Sequence, residues 1–197
     1  GIIEGVQRRI PGAQWIGTIH VDTRKDNGLQ SKDLRAAVAS GMRRVSFGLE
    51  SGSQRLLDAM KKGASVEENS RFIRDAHAAG LSIRCTMFRG FPGETADDLE
   101  LTADFLQKHV KQIDRVRFND LSIHEGTPMY DEMLADTNLY PEIKIVRQDN
   151  INSRLRFKEI EPPSKEYRQA LSKTLAVVHA INKQPIRSAA RAFDGLM

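Results

Sequence analysis

Four short apolar runs separated by stretches of helical spacing recur through residues 15–121, and this alternation constrains the fold more than any other property of the chain. Residues 2–9 read as the end of a helix, stopped at Ile10-Pro11-Gly12. Trp15 to Val21 reads as a first strand. Ser31 stands where it would cap a short helix carrying Leu34 and Val38, which stops at Gly41. Arg44 to Leu49 is a second strand, apolar enough to be buried on both faces. A short helix follows around Leu56–Met60. Ser65-Val66-Glu67-Glu68 then has the form of a capping box, opening a helix with Phe72, Ile73 and Ala76 on one face and Gly80 at its end. Leu81 to Phe88 is a third strand. Thr95-Ala96-Asp97-Asp98 is a second capping box, ahead of a helix that turns Leu99, Ala103 and Leu106 inward, and Arg115 to Leu121 is a fourth strand.

Strands alternating with helices predict βα units and a parallel sheet, so the fold class is α/β. A closed eight-stranded barrel typically takes about 250 residues, more than the 197 present. The expected form is therefore an open sheet or an arc of a larger barrel. Beyond it, turns fall at Gly126-Thr127-Pro128, Pro141 and Pro162-Pro163. Ser164 is placed to cap an amphipathic helix with Tyr167, Leu171, Leu175 and Val178 on one stripe, ended by Pro185. The last dozen residues are expected to be a short helix or frayed. The division expected is 1–128 for the barrel portion and 129–197 for a mostly helical extension packed on the sheet.

The 30 basic and 26 acidic residues are interspersed, so the formal charge of +4 reads as a solvated mixed surface with no nucleic-acid footprint. No apolar run is long enough to span a bilayer and no secretory signal is visible. One cysteine, Cys85, excludes an internal disulfide and a Cys-only metal site, and fits a reducing cytoplasm.

In parallel α/β sheets ligands bind at the carboxyl ends of the strands. Glu50 falls just past the second strand, where a carboxylate can accept hydrogen bonds from two vicinal hydroxyls, and the glycines beside it let backbone approach a ligand. Lys62 follows where it can meet a carboxylate. Gly90 and Gly93, after the third strand, leave backbone groups open to a base edge, and His20 ends the first strand on the same rim. Each residue also has a plainer reading. Glu50 can be a solvated loop residue, and Lys61 and Lys62 helix C-terminal charges that complement the dipole. Gly90 to Gly93 can be only a turn, Glu94 can only favour the next helix N-terminus, and His20 can be structural. Cys85 reads as a small buried residue, and His77, His109 and His179 have no metal-ligand spacing.

The order of these pieces adds what none has alone. Gly48-Leu49-Glu50-Ser51-Gly52-Ser53 leads through a helix to Lys61-Lys62-Gly63. A capped helix ending in Ala78-Ala79-Gly80 follows, then a strand ending in Gly90-Phe91-Pro92-Gly93-Glu94-Thr95, then a strand leading to Glu125-Gly126-Thr127-Pro128-Met129-Tyr130. Over residues 1–134 this set resembles the radical S-adenosylmethionine (SAM) superfamily, nearest its cobalamin-dependent and methylthiotransferase-like members. The resemblance implies strands three to six of a six-stranded (β/α) barrel. It implies that Glu50 holds the SAM ribose, that Ser51 and Ser53 line that loop, and that Lys62 faces the methionine carboxylate. Phe88 to Gly90 would pass beside the adenine. Thr86 stands where some members carry a ribose-binding aspartate, and His20 where some carry a glutamate. No residue receives a catalytic or metal-binding role.

The departure is the family's C-x3-C-x2-C loop, which this sequence lacks. In the family its thiolates hold a [4Fe-4S] cluster at which SAM is cleaved to a 5′-deoxyadenosyl radical. The expectation is thus a piece of a radical SAM enzyme, inert alone, whose parent uses SAM, a [4Fe-4S] cluster and, in some members, cobalamin. None of these is expected to bind the piece by itself. Its exposed sheet edge should favour self-association. A cluster-free nucleotide-binding or scaffold module is the alternative. An unrelated α/β hydrolase finds thin support in His20-Val21-Asp22 and His124-Glu125.

Overall fold

The structure, a computed structural model, describes residues 2–22, 29–136 and 138–194. Its centre is a sheet of four parallel strands in sequential order: β1 (Trp15–Ile19), β2 (Met42–Glu50), β3 (Ser82–Arg89) and β4 (Arg115–Asp120). They are connected through α2 (Ser31–Ala39) between β1 and β2, α3 (Gln54–Ala59) and α4 (Val66–Ala79) between β2 and β3, and α5 (Ala96–Lys108) between β3 and β4; α1 (Ile2–Arg9) precedes β1. The capping residues read for the fourth and fifth helices, Ser65 and Thr95, both hold. Ser65 accepts from the Glu68 N–H at the start of α4, and Thr95 with Asp98 closes a reciprocal box at α5. The first box is only half made, because the Glu68 carboxylate turns to Arg71 instead. At α2 the capping residue is Gln30 rather than Ser31, with Asp33 reaching back to its N–H.

Side chains alternate across this sheet. Val45, Phe47 and Leu49 of β2 and Ile83, Cys85 and Met87 of β3 are buried against Leu34, Phe72, Ile73, Ala76, Phe105 and Leu106 of the helices. The opposite face shows Ser46, Gly48 and Glu50 beside Arg84, Thr86 and Phe88, all half-buried. The expectation that β2 is buried on both faces is therefore corrected: only one face is apolar and fully buried, the one that the helices cover.

The remainder divides in two. β5 (Ile123–His124), β7 (Arg154–Glu159) and β6 (Ile143–Asp149) form a separate antiparallel sheet in that spatial order, over α6 (Pro128–Ala135). Ile123, Ile143 and Leu155 close a second small core with Tyr130 and Met133. This hairpin adds strands that the sequence reading lacked to a segment whose other elements are helical. The long helix α7 (Lys165–Asn182), by contrast, joins the main layer. It is capped by Ser164 as read, but its buried stripe is Ala170, Thr174, Val178 and Ile181, while Leu175 is 45% exposed. Small residues at the contact let α7 approach α5 closely enough for the Thr174 hydroxyl to donate to the Leu99 carbonyl at 3.0 Å. The Asn182 amide lies on the outer edge of β4, accepting from the Val116 N–H at 2.8 Å and donating to its carbonyl at 2.9 Å. A 3₁₀ turn (Ser188–Phe193) then crosses the foot of the sheet, where the Phe193 carbonyl accepts from Arg44 and Asp194 pairs with Arg115 at 2.9 Å. The expectation for the chain end runs on over residues 195–197, which lie outside the described residues.

Candidate functional site

At the carboxyl end of β2 the chain reverses in a single residue. The Ser51 N–H donates to the Leu49 carbonyl at 2.8 Å, closing a γ-turn centred on Glu50. Glu50 has φ +60, in the left-handed region that costs a residue with a Cβ about 1–2 kcal/mol. Strain of this kind persists only where the surroundings enforce it. The carboxylate folds back over Gly48, so closely that a Cβ there would meet Glu50 Oε1 at 2.4 Å. The β2–β3 register shifts between Gly48 and Glu50, which turns the acid onto the rim.

Lys62 Nζ lies 2.8 Å from Glu50 Oε1, with the carboxylate 13% and the ammonium 36% exposed. The turn after α3 aims it there, with Lys61 at φ +54 and Gly63 at φ +64. His20 Nε2 sits 3.2 Å from the Lys62 carbonyl. Three of the expected rim residues, His20, Glu50 and Lys62, are thus brought together. Thr86 is the ladder partner of Gly48, on the same half-buried face.

Ser51 and Ser53 are held differently. Both are buried, and their hydroxyls are engaged within the protein: Ser51 Oγ with Thr102 Oγ1 at 3.2 Å, and Ser53 Oγ donating to Asp98 Oδ1 at 2.6 Å. The Gly52 N–H donates to Thr102 Oγ1 at 3.0 Å, and a Cβ at Gly52 would lie 2.7 Å from the Thr102 Cα. Only glycine lets the loop lie this close to α5.

Asp98 is the residue that the sequence reading underrated, taking it only as half of a capping box. It accepts from Ser53, from Arg55, and from both the N–H and the hydroxyl of Thr95. Burial alone would raise its carboxyl, but these bonds outweigh it and hold the group at about 2. Arg55 also donates to the Gly93 carbonyl at 2.8 Å. One buried carboxylate therefore ties the loop after β2 to the loop after β3.

In that second loop Gly90 (φ +82) and Gly93 (φ +77) carry the turn. Glu94 folds under it, accepting from the Gly90 N–H and from the Tyr167 hydroxyl of α7, each at 2.7 Å. Burial pushes the Glu94 carboxyl up against the opposing pull of these two bonds. The Gly90 N–H is thus spoken for, while space beside its Cα is open. A cavity of about 530 Å³ lies on the outer side of this loop, between Phe91, Glu94, Pro141, Ile160 and Tyr167. Glu50, Lys62 and Thr86 do not line it.

Cys85 is fully buried on the helix side, and burial pushes its thiol up. Among the described residues no group of three or more His, Cys, Asp or Glu is arranged to hold a metal ion. No helix among them is long and apolar enough to cross a membrane.

Residues 13–106 match the Radical SAM superfamily. An uncharacterised methyltransferase of Pyrococcus horikoshii is 29% identical over 125 residues, 64% of this chain and 26% of that protein. The tRNA-2-methylthio-N(6)-dimethylallyladenosine synthase of Aromatoleum aromaticum is 37% identical over 111 residues, 53% of this chain and 23% of that protein. The chain thus spans about a quarter of the length of these curated relatives. In fold it is similar to the radical SAM methyltransferase TsrM of Kitasatospora setae, solved with cobalamin and a [4Fe-4S] cluster, with a TM-score of 0.64 at 15% identity over 96% of this chain and 41% of that one. Through residues 13–106, which hold the first three strands of the parallel sheet and both rim loops, the chain is similar to the radical SAM superfamily.

Proposed function

We propose that residues 1–128 supply the SAM-contacting second half of a radical SAM barrel, in a parent enzyme of methyl or methylthio transfer, and that 129–197 form its extension. The observation that carries this reading is the Glu50–Lys62 pair, held at a strained turn on the carboxyl rim of the matched segment. A carboxylate with two acceptor oxygens suits vicinal ribose hydroxyls, and an ammonium beside it suits a carboxylate. The donor set therefore fits SAM: Glu50 would take the ribose, Lys62 the methionine carboxylate, and Thr86 and Gly90 would flank the nucleoside. Ser51 and Ser53 support the loop instead of touching the ligand, because their hydroxyls are already used.

The cluster does not fit these residues. The sequence has one cysteine, buried in the helix-side core, and a [4Fe-4S] cluster needs several thiolates. We assign the cluster ligands of the parent to residues outside 1–197, and no step of SAM cleavage to this chain alone.

Titration calorimetry with SAM tests the reading, alongside an assay for 5′-deoxyadenosine under reducing conditions. Weak binding, diminished further by Glu50→Gln, and no 5′-deoxyadenosine are expected. Micromolar affinity without turnover would instead favour a cluster-free nucleotide-binding module. Turnover by the chain alone would overturn the assignment.

A further inference from the structure

We infer that the solvent face of the β5–β7–β6 sheet is a docking surface for the phosphate backbone of RNA. Residues 143–159 hold five basic and two acidic side chains, most of the chain's formal excess of +4. Arg154, Arg156 and Lys158 are alternate residues of β7, so a strand sends all three to one face. Their ladder partners on β6 are Asp149, Arg147 and Lys144. Lys144 thus stands opposite Lys158, and Arg147 opposite Arg156, all four exposed. His124 of β5 adjoins Arg154 on the other side.

Like charges directly opposite each other destabilise a strand pair. The pairing is also built, not incidental. β6 has a bulge between Ile145 and Arg147, which removes Val146 from the ladder and puts Arg147 opposite Arg156. A regular strand would have placed Val146 there. Asp149 pairs with Arg156 at 2.9 Å, but Lys144, Arg147 and Lys158 make no ion pair among the described residues. Cations two residues apart along a strand are about 7 Å apart, close to the separation of successive phosphates in an extended single strand. Lys158 also borders a cavity of about 260 Å³ shared with Arg89, Gly90 and Asp120, so the basic face opens onto the rim of the main sheet. Phe157 turns inward, and among the described residues of the face the only aromatic ring is the exposed His124 imidazole at one end, so docking should follow chiefly the backbone, with little dependence on base sequence. Charges interspersed in the sequence are gathered in space, which is why reading them in order suggested only a solvated surface. The inference rests on this sheet and is independent of the SAM reading.

Fluorescence anisotropy of the 197-residue chain with a short labelled single-stranded RNA of mixed sequence tests it. Four phosphate contacts predict that log affinity falls with log salt at a slope of about −3. The variant K144E/R147E/K158E should bind at least about tenfold more weakly, with the slope reduced in magnitude by about 2. K144Q/R147Q/K158Q, which removes the repulsion without reversing it, should weaken binding in the same direction while remaining folded by circular dichroism. Its result decides if the Glu variant does not fold. Unchanged affinity in the folded Gln variant, or salt-independent binding, would overturn the proposal. So would tighter binding to phosphatidylserine vesicles or polyglutamate than to RNA, which would make the partner a membrane or an acidic protein.

Discussion

The rim of the parallel sheet and the antiparallel hairpin use polar residues in opposite ways. On the rim, Ser51, Ser53, Thr102 and Asp98 are buried and bonded to one another, and two loops distant in sequence become one rigid piece. On the hairpin, Lys144, Arg147, Arg156 and Lys158 are exposed and face their own kind across the ladder. The first arrangement spends its hydrogen bonds inside the protein, so that Glu50 and Lys62 are held ready at its surface. Of these four the second pairs only Arg156, with Asp149, and leaves Lys144, Arg147 and Lys158 without an ion pair among the described residues, open to something outside. A group satisfied within the fold is scaffold, and a group the fold leaves in an unfavourable setting is a candidate for recognition.

The sharpest way to break this contrast is Asp98→Ala. It removes the acceptor of Ser53, Arg55 and Thr95 together, and should cost about 3 kcal/mol by urea unfolding, toward the low end for a broken buried pair because Arg55 is 56% exposed. The same carboxyl gives a pH test. Its folded value of about 2 lies below the ordinary one, so its contribution is complete above pH about 4 and is lost as pH falls toward 2. Acid unfolding in that window should be blunted in Asp98→Asn relative to the parent. Gly52→Ala comes next. Its Cβ would meet the Thr102 Cα at 2.7 Å, against backbone that cannot swing aside, and should cost about 2 kcal/mol by the same measurement.

Two smaller effects carry the opposite sign. Glu50→Gly relieves the left-handed turn and gives up only a partly exposed ion pair, so stability should rise by about 0.5 kcal/mol while SAM binding weakens. Arg147→Thr removes one like-charge pair and should stabilise the hairpin by about 0.5 kcal/mol, read as a raised urea midpoint. A loss of stability in either variant would mean that the residue serves the fold, and the contrast between scaffold and recognition would lose its example there.

The main sheet was legible because its signals are local. Each strand is an apolar run, and Ser65, Thr95 and Gly80 mark helix ends by chemistry that needs no distant partner. Glu50 and Lys62 were also legible, since their loops form a recognisable order. What escaped depends on contacts far apart in the chain. Asp98 looks like any capping acid until Ser53 and Arg55, more than forty residues earlier, are brought onto it. The stripe of α7 was misjudged because Leu171 and Leu175 are the larger residues, yet close approach to α5 selects Ala170 and Thr174. The hairpin did carry a signal, the strict alternation Arg154-Leu155-Arg156-Phe157-Lys158. Its partner strand hides the same signal, because the bulge at Val146 breaks the period.

The amide of Asn182 bears on how a barrel containing this sheet can be completed. By taking both backbone groups of Val116, it stands in for one residue of a neighbouring strand and closes the outer side of β4 to further pairing. β1 has no such stopper among the described residues, and its only ladder partner there is β2. The sheet can therefore grow in one direction only. Whatever strand joins it, from the same polypeptide or from another copy, has to arrive beside Trp15–Ile19, on the side where His20 and the Glu50–Lys62 pair are waiting.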